Sequence, residues 1–216
     1  MKLPADGRQA LLEMLSAARV IPVLTIARVE HAVPLARALV AGGVRTLEVT
    51  LRTPVAADAA KRIIAEVPDA IVGIGTVLDR DDLGAAISLG AKFAVSPGAT
   101  PDLLEVAVGA GFPFLPGVAT ASELMVVQST GLTTMKFFPA EPAGGIPMLR
   151  ALAGPFPDVR FCPTGGIGEN NAAQWLAEPN VVAVGGSWLT PASEIEAGNW
   201  SAITARAQRA MRMLAG

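Results

Sequence analysis

Several residue types that carry enzyme chemistry are scarce in this chain. Its 216 residues include no tyrosine, one histidine, His31, and one cysteine, Cys162. A single cysteine excludes an intrachain disulfide and a CxxC metal site, and its apolar flanks predict a packed thiol. With His31 predicted in the first helix after the first strand, a Ser-His-Asp or Cys-His arrangement has no obvious centre. No His, Cys and carboxylate set has the spacing of a metal site either.

Basic clusters and long apolar runs are also missing. The formal net charge is −2, from 17 basic and 19 acidic residues, and no basic cluster predicts binding to nucleic acid. Proline, glycine or charged residues interrupt every apolar run before it is long enough to span a bilayer. The first residues, Met1–Gly7, are polar and lack the apolar stretch of a signal peptide. These features predict a cytoplasmic protein without membrane or nucleic-acid partners.

Apolar residues, by contrast, are abundant. They make up 51% of the chain and charged residues only 17%, a balance typical of a folded core and not of a disordered chain. The length suits one domain, and no linker or change in composition divides residues 1–216. The apolar composition also indicates surface that is buried between subunits.

Short β-branched or aromatic segments alternate with Ala- and Leu-rich segments that have helical spacing. The strand-like segments recur at intervals of about 20–25 residues, as a repeating β-loop-α-loop unit requires. A further helix, Arg8–Ala18, precedes the first of them. The order predicts an α/β fold, a (β/α)8 (TIM) barrel with an extra N-terminal helix. Its eight predicted strands are Val20–Thr25, Thr46–Leu51, Ile71–Thr76, Phe93–Pro97, Phe112–Pro116, Thr133–Phe138, Val159–Thr164 and Val181–Ser187.

An open doubly wound sheet is the alternative architecture. Such a sheet places its glycine-rich phosphate loop after the first strand. Here the glycine pairs, Gly165-Gly166 and Gly185-Gly186, come at the last two strands. In barrels those loops are the usual phosphate site, so the order of the glycines favours the barrel.

Lys136 is a charged residue within the apolar sixth predicted strand. It lies toward the end of the strand at which barrels carry their active sites. The conservative interpretation is a lysine whose ammonium group extends out of the barrel mouth. The alternative is a nucleophile, since burial disfavours an ammonium ion and leaves a free amine that attacks ketones. Of the other lysines, Lys2 is in the N-terminal tail, Lys61 is on a helix, and Lys92 precedes its strand.

Glu48 and Arg52 lie on one face of the predicted second strand, together with Thr50. A charged residue in mid-strand is costly unless it is paired or functional. Glu48 is therefore either half of a structural ion pair with Arg52 or Lys136, or a general acid/base beside the lysine. Arg52, nearer the mouth, is a candidate for holding a substrate carboxylate.

Three further segments close predicted strands near the same mouth. Thr76 ends the third strand and is either an inward hydroxyl near the reaction centre or a residue that caps the next turn. The segment before it lacks the full dinucleotide-binding pattern and follows the wrong strand for one. The loops Pro163–Gly166 and Val184–Ser187 are either plain turns or a cradle whose backbone N–H groups hold a phosphate.

Together these segments resemble the 2-keto-3-deoxy-6-phosphogluconate (KDPG) aldolase family, also called the 4-hydroxy-2-oxoglutarate (KHG) aldolase family. The resemblance covers nearly the whole chain, and six motifs occur in the right order. They are Leu47–Pro54, Gly73–Val77, Ala94–Gly98, Lys136–Glu141, Pro163–Gly166 and Val184–Trp188.

The resemblance implies a class I aldolase that needs no metal or other cofactor and that forms homotrimers. It implies the Schiff-base lysine at Lys136 and the acid/base glutamate at Glu48. Its substrate would be a small phosphorylated keto acid, cleaved to pyruvate and D-glyceraldehyde 3-phosphate. Unphosphorylated KHG, cleaved to pyruvate and glyoxylate, is a further expected substrate. The residues implied in substrate binding are Arg52, Thr76, Pro97 and Phe138 around the pyruvate end, and Thr164, Gly165, Gly166, Gly186 and Ser187 at the distal hydroxyl and phosphate.

Three alternatives remain at this point. A galactonate-type aldolase would share the mechanism, and only Thr164 favours the gluconate type. A phosphosugar isomerase or epimerase would share the glycine loops without needing a buried lysine. A non-catalytic barrel that binds a phosphorylated ligand would have no need to bury both Glu48 and Lys136.

Overall fold

Parallel strands and helices alternate along the computed structural model, which describes residues 5–214. Residues 1–4, which include Lys2 and most of the expected polar N-terminal segment, and residues 215–216 lie outside the described range. The strands are β1 (Val20–Leu24), β2 (Thr46–Thr50), β3 (Ile71–Gly75), β4 (Phe93–Val95), β5 (Phe114–Leu115), β6 (Gly117–Val118), β7 (Thr134–Phe137), β8 (Arg160–Pro163) and β9 (Val184–Gly186). The helices are α1 (Ala5–Ala18), α2 (Ala32–Ala41), α3 (Ala56–Glu66), α4 (Arg80–Ser88), α5 (Pro101–Ala110), α6 (Ala121–Ser129), α7 (Gly145–Ala153), α8 (Ala172–Leu176), α9 (Ala192–Glu196) and α10 (Trp200–Leu214).

The strands form two parallel sheets. Six strands pair in the order β5-β4-β3-β2-β1-β9, and three pair in the order β6-β7-β8. Single parallel bridges, Phe161 to Val181 and Thr164 to Gly185, connect β8 to the chain around β9. The predicted α/β class with parallel strands is therefore confirmed, as is the extra helix before the first strand.

The predicted fifth strand, Phe112–Pro116, is divided and extends further along the chain. Pro116 has no backbone N–H group and cannot donate a ladder hydrogen bond. The segment before it, β5, pairs with β4, and the segment after it, β6, pairs with β7. The carbonyl of Pro116 still accepts a hydrogen bond from the N–H of Lys136 at 2.8 Å. The proline therefore marks the place where one sheet gives way to the other.

Local sequence signals explain several helix starts. Asp79 caps α4, where its carboxylate accepts hydrogen bonds from the N–H groups of Asp81 and Asp82, as its position predicts. Pro101 opens α5, where a missing N–H group has no consequence, and Thr100 caps it. His31, predicted in a helix, instead ends a short 3-10 turn, Val29–His31, directly before α2.

The apolar residues divide into two buried clusters. The larger one lies between the strands and the surrounding helices. The smaller one contains Leu11 and Leu15 of α1 together with side chains from several strands. The Arg8 guanidinium donates to the carbonyl of Gly131, ahead of β7, so α1 lies at the end of the strands opposite Lys136. The smaller cluster consists of Leu11, Leu15, Ile21, Phe93, Val95, Leu115, Cys162 and Ala183.

Candidate active site

Lys136 and Glu48 form a buried pair at the centre of the sheets. The Lys136 Nζ donates a hydrogen bond to Glu48 Oε1 at 3.2 Å, and the two side chains are 3% and 4% exposed. The lysine therefore does not extend into solvent, as the conservative interpretation required. Removing both groups from water is costly, so each needs the other unless a third group replaces it.

Strand alternation explains why these two residues meet. Glu48 is the third residue of β2 and Lys136 the third of β7, and both point away from the helices, while Leu47 and Val49 join the larger apolar cluster. The Glu48 side chain then crosses over β3 at Gly75. A Cβ atom on residue 75 would approach Glu48 Cγ within 2.6 Å and Oε1 more closely still. A glycine at this position gives the carboxylate its path toward Lys136.

Phe138 bounds the amine on its outer side. The Lys136 Nζ lies 5.3 Å from the centre of the Phe138 ring, a distance at which an aromatic face attracts a cation. Phe138 follows β7 directly and is half-buried. The ring therefore separates the lysine from open solvent.

Arg52 and Thr76 meet at the carboxyl ends of β2 and β3. The Arg52 Nε donates a hydrogen bond to Thr76 Oγ1 at 3.0 Å. Arg52 therefore does not form the ion pair with Glu48 that the sequence allowed. Thr76 has a φ of 61°, which is unusual for a β-branched residue and indicates local strain. The hydroxyl consequently contacts Arg52 and is not simply the cap of a turn.

The two glycine loops follow β8 and close β9. Gly165 and Gly166 have φ values of 103° and 81°, the left-handed region that favours glycine. Thr164 bridges to Gly185, where its side chain occupies the space that a Cβ atom would need. The loops are thereby brought side by side, as their positions on neighbouring strands predicted.

A cavity of about 220 Å³ lies at the carboxyl ends of the strands, and Lys136, Glu48 and Thr76 are not among its lining residues. Seven of the residues singled out in the sequence line it. Val23, Thr25 and Ile167 line it as well and were not predicted; the first two follow the alternation of β1 and could have been found from it. The seven residues are Arg52, Phe138, Thr164, Gly165, Gly166, Gly186 and Ser187.

Pro97 lies at the edge of this arrangement. It follows β4, and its backbone carbonyl fills the space that a Cβ atom on Gly117 would need. Gly117 in turn is the register partner of Lys136. The segment β5–β6 therefore lies between Pro97 and the strand of Lys136. Pro97 is not among the residues that line the 220 Å³ cavity.

The similarity of this chain to a known protein family covers these site residues. The family model for KDPG and KHG aldolase matches residues 11–206, which includes Glu48, Lys136 and both glycine loops. The chain belongs to the KDPG and KHG aldolase family. The predicted family resemblance is thereby confirmed.

Individual members of the family are close in sequence and structure. The KHG/KDPG aldolase of Escherichia coli K12 is 52% identical over 198 residues, covering 92% of this chain and 93% of the relative. A KDPG aldolase of Legionella pneumophila, solved with pyruvate captured at low pH as a covalent carbinolamine, has a TM-score of 0.90 at 48% identity, covering 92% and 97%. The KDPG aldolase of Zymomonas mobilis ZM4, solved with 3-phosphoglycerate, has a TM-score of 0.90 at 47% identity, covering 94% and 95%.

Cys162 completes the surroundings of the lysine in this family member. It is the register partner of Lys136 on β8 and is fully buried. Burial raises the pKa of the Cys162 thiol to about 12, although the positive charge of Lys136 acts in the opposite direction. A neutral thiol is a poor nucleophile, so the sulfur packs beside the amine and does not compete with it.

Two kinds of feature are absent from the described part of the chain. Within residues 5–214, no three His, Cys, Asp or Glu side chains are grouped so that they could hold a metal ion. None of the helices in that range is long and apolar enough to cross a membrane.

Proposed function

We propose that this chain is a class I aldolase that cleaves KDPG to pyruvate and D-glyceraldehyde 3-phosphate through a Schiff base on Lys136. The observation that carries the proposal is the buried amine of Lys136, 3.2 Å from the Glu48 carboxylate and bounded by Phe138. The carbinolamine of pyruvate in the Legionella pneumophila relative supports the same chemistry here.

The first half of the reaction converts the C2 ketone of the substrate into an iminium ion, which can accept electrons. The Lys136 amine attacks the C2 ketone of the substrate and forms a carbinolamine, which loses water to give an iminium ion. Glu48, whose carboxylate lies within hydrogen-bonding distance, accepts a proton from the attacking amine and passes it to the carbinolamine hydroxyl, which leaves as water. The positive iminium then replaces the ammonium as the partner of the Glu48 carboxylate.

The second half breaks the carbon–carbon bond. Glu48, through a water molecule, takes the proton of the C4 hydroxyl, and the electrons of the C3–C4 bond move into the iminium. The aldehyde leaves, and an enamine of pyruvate remains on Lys136. Glu48 returns a proton to the enamine carbon, and water hydrolyses the iminium to release pyruvate.

Arg52 and Thr76 are assigned to the carboxylate of the keto acid. Only the Nε of Arg52 is bonded to Thr76, so the two terminal nitrogens remain for bidentate contact with a carboxylate. Pro97 and Phe138 are assigned to the same end of the substrate. Phe138 lies against the amine, whereas the assignment of Pro97 rests on the family resemblance and on its position one strand away.

The glycine loops are assigned to the distal end of the substrate. The backbone N–H groups of Gly165, Gly166, Gly186 and Ser187 would hold the phosphate, and Thr164 the distal hydroxyl. The 3-phosphoglycerate in the Zymomonas mobilis relative supports a phosphate site. The name of the Escherichia coli relative supports KHG as a second, unphosphorylated substrate, cleaved to pyruvate and glyoxylate. The aldolase names of these relatives favour the gluconate type over the galactonate type.

The proposal extends to the closure of the barrel and to the assembly of subunits. The bridges between β8 and the chain around β9, and the continuity of β5 and β6 across Pro116, support a closed (β/α)8 barrel. Apolar side chains exposed outside the site support an interface between subunits. The large ones among them are Leu78, Ile87, Met125, Val126 and Met213. We assign a homotrimer from the family resemblance, and the cytoplasm stays the predicted compartment.

Trapping of the Schiff base tests the function directly. Pyruvate plus borohydride should attach covalently to the wild-type chain, and peptide mapping should place the adduct on Lys136. Lys136→Ala should lose the adduct, whereas Lys92→Ala, which changes an exposed lysine ahead of β4, should keep it. An adduct that persists in Lys136→Ala would contradict the assignment. Turnover that resists borohydride would favour an isomerase or epimerase, and ligand-induced stabilisation without pyruvate release would favour a binding protein.

A further inference from the structure

We propose that Glu141 is a positioning residue for the loop Gly165–Gly166 and thereby sets the preference for a phosphorylated substrate. The inference rests on the proposed function, because it assumes that this loop holds the phosphate. Glu141 lies in the turn that follows β7, five residues after Lys136, and does not line the 220 Å³ cavity.

The backbone of the turn is bonded to the loop. The N–H of Ala140 donates to the carbonyl of Thr164 at 2.8 Å, and the N–H of Glu141 donates to the carbonyl of Gly165 at 3.0 Å. These bonds continue the pairing of β7 with β8 beyond the ends of both strands. They fix Thr164 and Gly165, but they do not reach Gly166.

The side chain of Glu141 reaches the remaining part of the loop. Its Oε1 accepts a hydrogen bond from Asn171 Nδ2 at 3.1 Å, and the same Nδ2 donates to the carbonyl of Gly166 at 3.1 Å. Asn171 Oδ1 accepts from the N–H of Gly168 at 2.8 Å. The Glu141 carboxylate thus orients the amide that joins Gly166 to Gly168.

A buried indole fixes the carboxylate itself. Trp175 of α8 is fully buried, and its Nε1 donates to Glu141 Oε1 at 2.9 Å. The Trp175 ring also packs 6.3 Å from that of Phe137, the residue next to Lys136. A buried indole N–H requires an acceptor, so the Trp175 contact holds Glu141 in one orientation.

Packing makes Gly166 part of the same unit. A Cβ atom on Gly166 would come within 2.5 Å of Glu141 Cγ and 2.6 Å of its Cβ. The stem of Glu141 therefore lies directly beneath the glycine, whose φ of 81° turns the backbone at this point. Loss of the stem would leave the turn without its support.

Charge indicates that Glu141 orients the loop and does not bind the ligand. Its two side-chain donors, an amide and an indole, are neutral and leave the negative charge uncompensated. A carboxylate close to a bound phosphate repels it. A negative residue in this place is therefore consistent only with a structural contact to the loop, and its contribution should survive replacement by a neutral acceptor.

Kinetics on two substrates test the proposal. Glu141→Ala should raise KM for KDPG about tenfold or more, as loss of hydrogen bonds to a charged acceptor predicts, while kcat and KM for unphosphorylated KHG stay within about twofold. Glu141→Gln should stay near wild type for both substrates, because both donors bond Oε1 and an amide oxygen accepts them equally well. Glu105→Ala, at an exposed glutamate on α5, is the matched control.

A second variant and a binding measurement test the same positioning role independently of Glu141→Ala. Asn171→Ala leaves Glu141 in place and breaks its link to Gly166, so it should show the same loss on KDPG alone. Calorimetry with 3-phosphoglycerate should show the loss of affinity without turnover. Equal losses on both substrates, or none in Glu141→Ala and Asn171→Ala, would overturn the positioning role. A wild-type chain that releases no pyruvate from either substrate would instead contradict the proposed function.

Discussion

The Glu48 carboxylate lies in the space that a β carbon on residue 75 would need. The Glu48 Cγ atom is 2.6 Å from that position, so only glycine at residue 75 leaves the carboxylate its hydrogen bond to Lys136. The geometry of the pair therefore depends on a residue of the neighbouring strand that has no side chain.

Gly75→Ala should consequently reduce turnover by displacing Glu48. We expect a loss of about tenfold or more in kcat, together with about 1–3 kcal/mol of stability from overpacking. Gly84→Ala is the control, because nothing lies within 4 Å of its Cβ position on the exposed side of α4. That change should leave turnover intact and stabilise the helix by about 0.5–1 kcal/mol. Pyruvate release and urea unfolding measure the two effects, and wild-type turnover in Gly75→Ala would contradict the expectation.

Glu48→Gln separates imine formation from cleavage of the C3–C4 bond. The amide keeps the shape of the side chain but cannot accept a proton, so turnover should fall by about 10²-fold or more. The iminium with pyruvate should still form, since Lys136 retains its amine and water can relay the proton of that step. Borohydride trapping checks the first step and pyruvate release from KDPG the complete reaction. Turnover at the wild-type rate would remove Glu48 from the acid/base role.

Much of this arrangement could be predicted from the sequence, because strand alternation and the cost of burying charge are local signals. Glu48 and Lys136 stand out as charged residues within apolar strands, and Arg52 follows two residues after Thr50 on the face that Glu48 shares. The division of the fifth strand at Pro116 was also accessible in principle, since proline cannot donate in a ladder.

Contacts between distant segments could not be predicted in the same way. The hydrogen bonds of Glu141 to Asn171 and Trp175 span 30 and 34 residues of sequence. They depend on the path of the loop after β8 and on the orientation of α8. No periodicity or composition records that path, although the motif Lys136–Glu141 did include the glutamate. The bond between Arg52 and Thr76 likewise depends on a φ of 61° that is unusual for threonine.

Replacing Thr76 by glycine should raise the stability of the fold and weaken substrate binding. Its positive φ stores about 1–3 kcal/mol of strain, and glycine removes that strain at an entropic cost of about 0.5–1 kcal/mol. Thr76→Gly should therefore melt at a higher temperature, by about 2–4 °C for each kcal/mol gained. It should also raise KM for the keto acid, because Arg52 loses its hydroxyl partner.

Thr76→Asn is the matched variant for that prediction. Asparagine tolerates the left-handed region and keeps a polar side chain, so it should gain stability with a smaller increase in KM. Thermal unfolding and pyruvate-release kinetics on both variants make the comparison. A Thr76→Gly variant that is less stable than wild type would show that the conformation is not strained.

Cys162 should be unreactive in the native chain, although it lies beside the amine that we assign to catalysis. Burial raises the pKa of its thiol to about 12, so almost no thiolate is present at pH 8, and reagents have no path to the sulfur. Because the folded pKa is above the unfolded value of about 9, the neutral thiol contributes stability below pH 9 that is lost as the pH rises toward 12. Ellman's reagent at pH 8 should label the chain rapidly in guanidinium and very slowly without it. Rapid labelling of the folded protein would show that the thiol is neither buried nor neutral, and that the inner face of β8 is open to solvent.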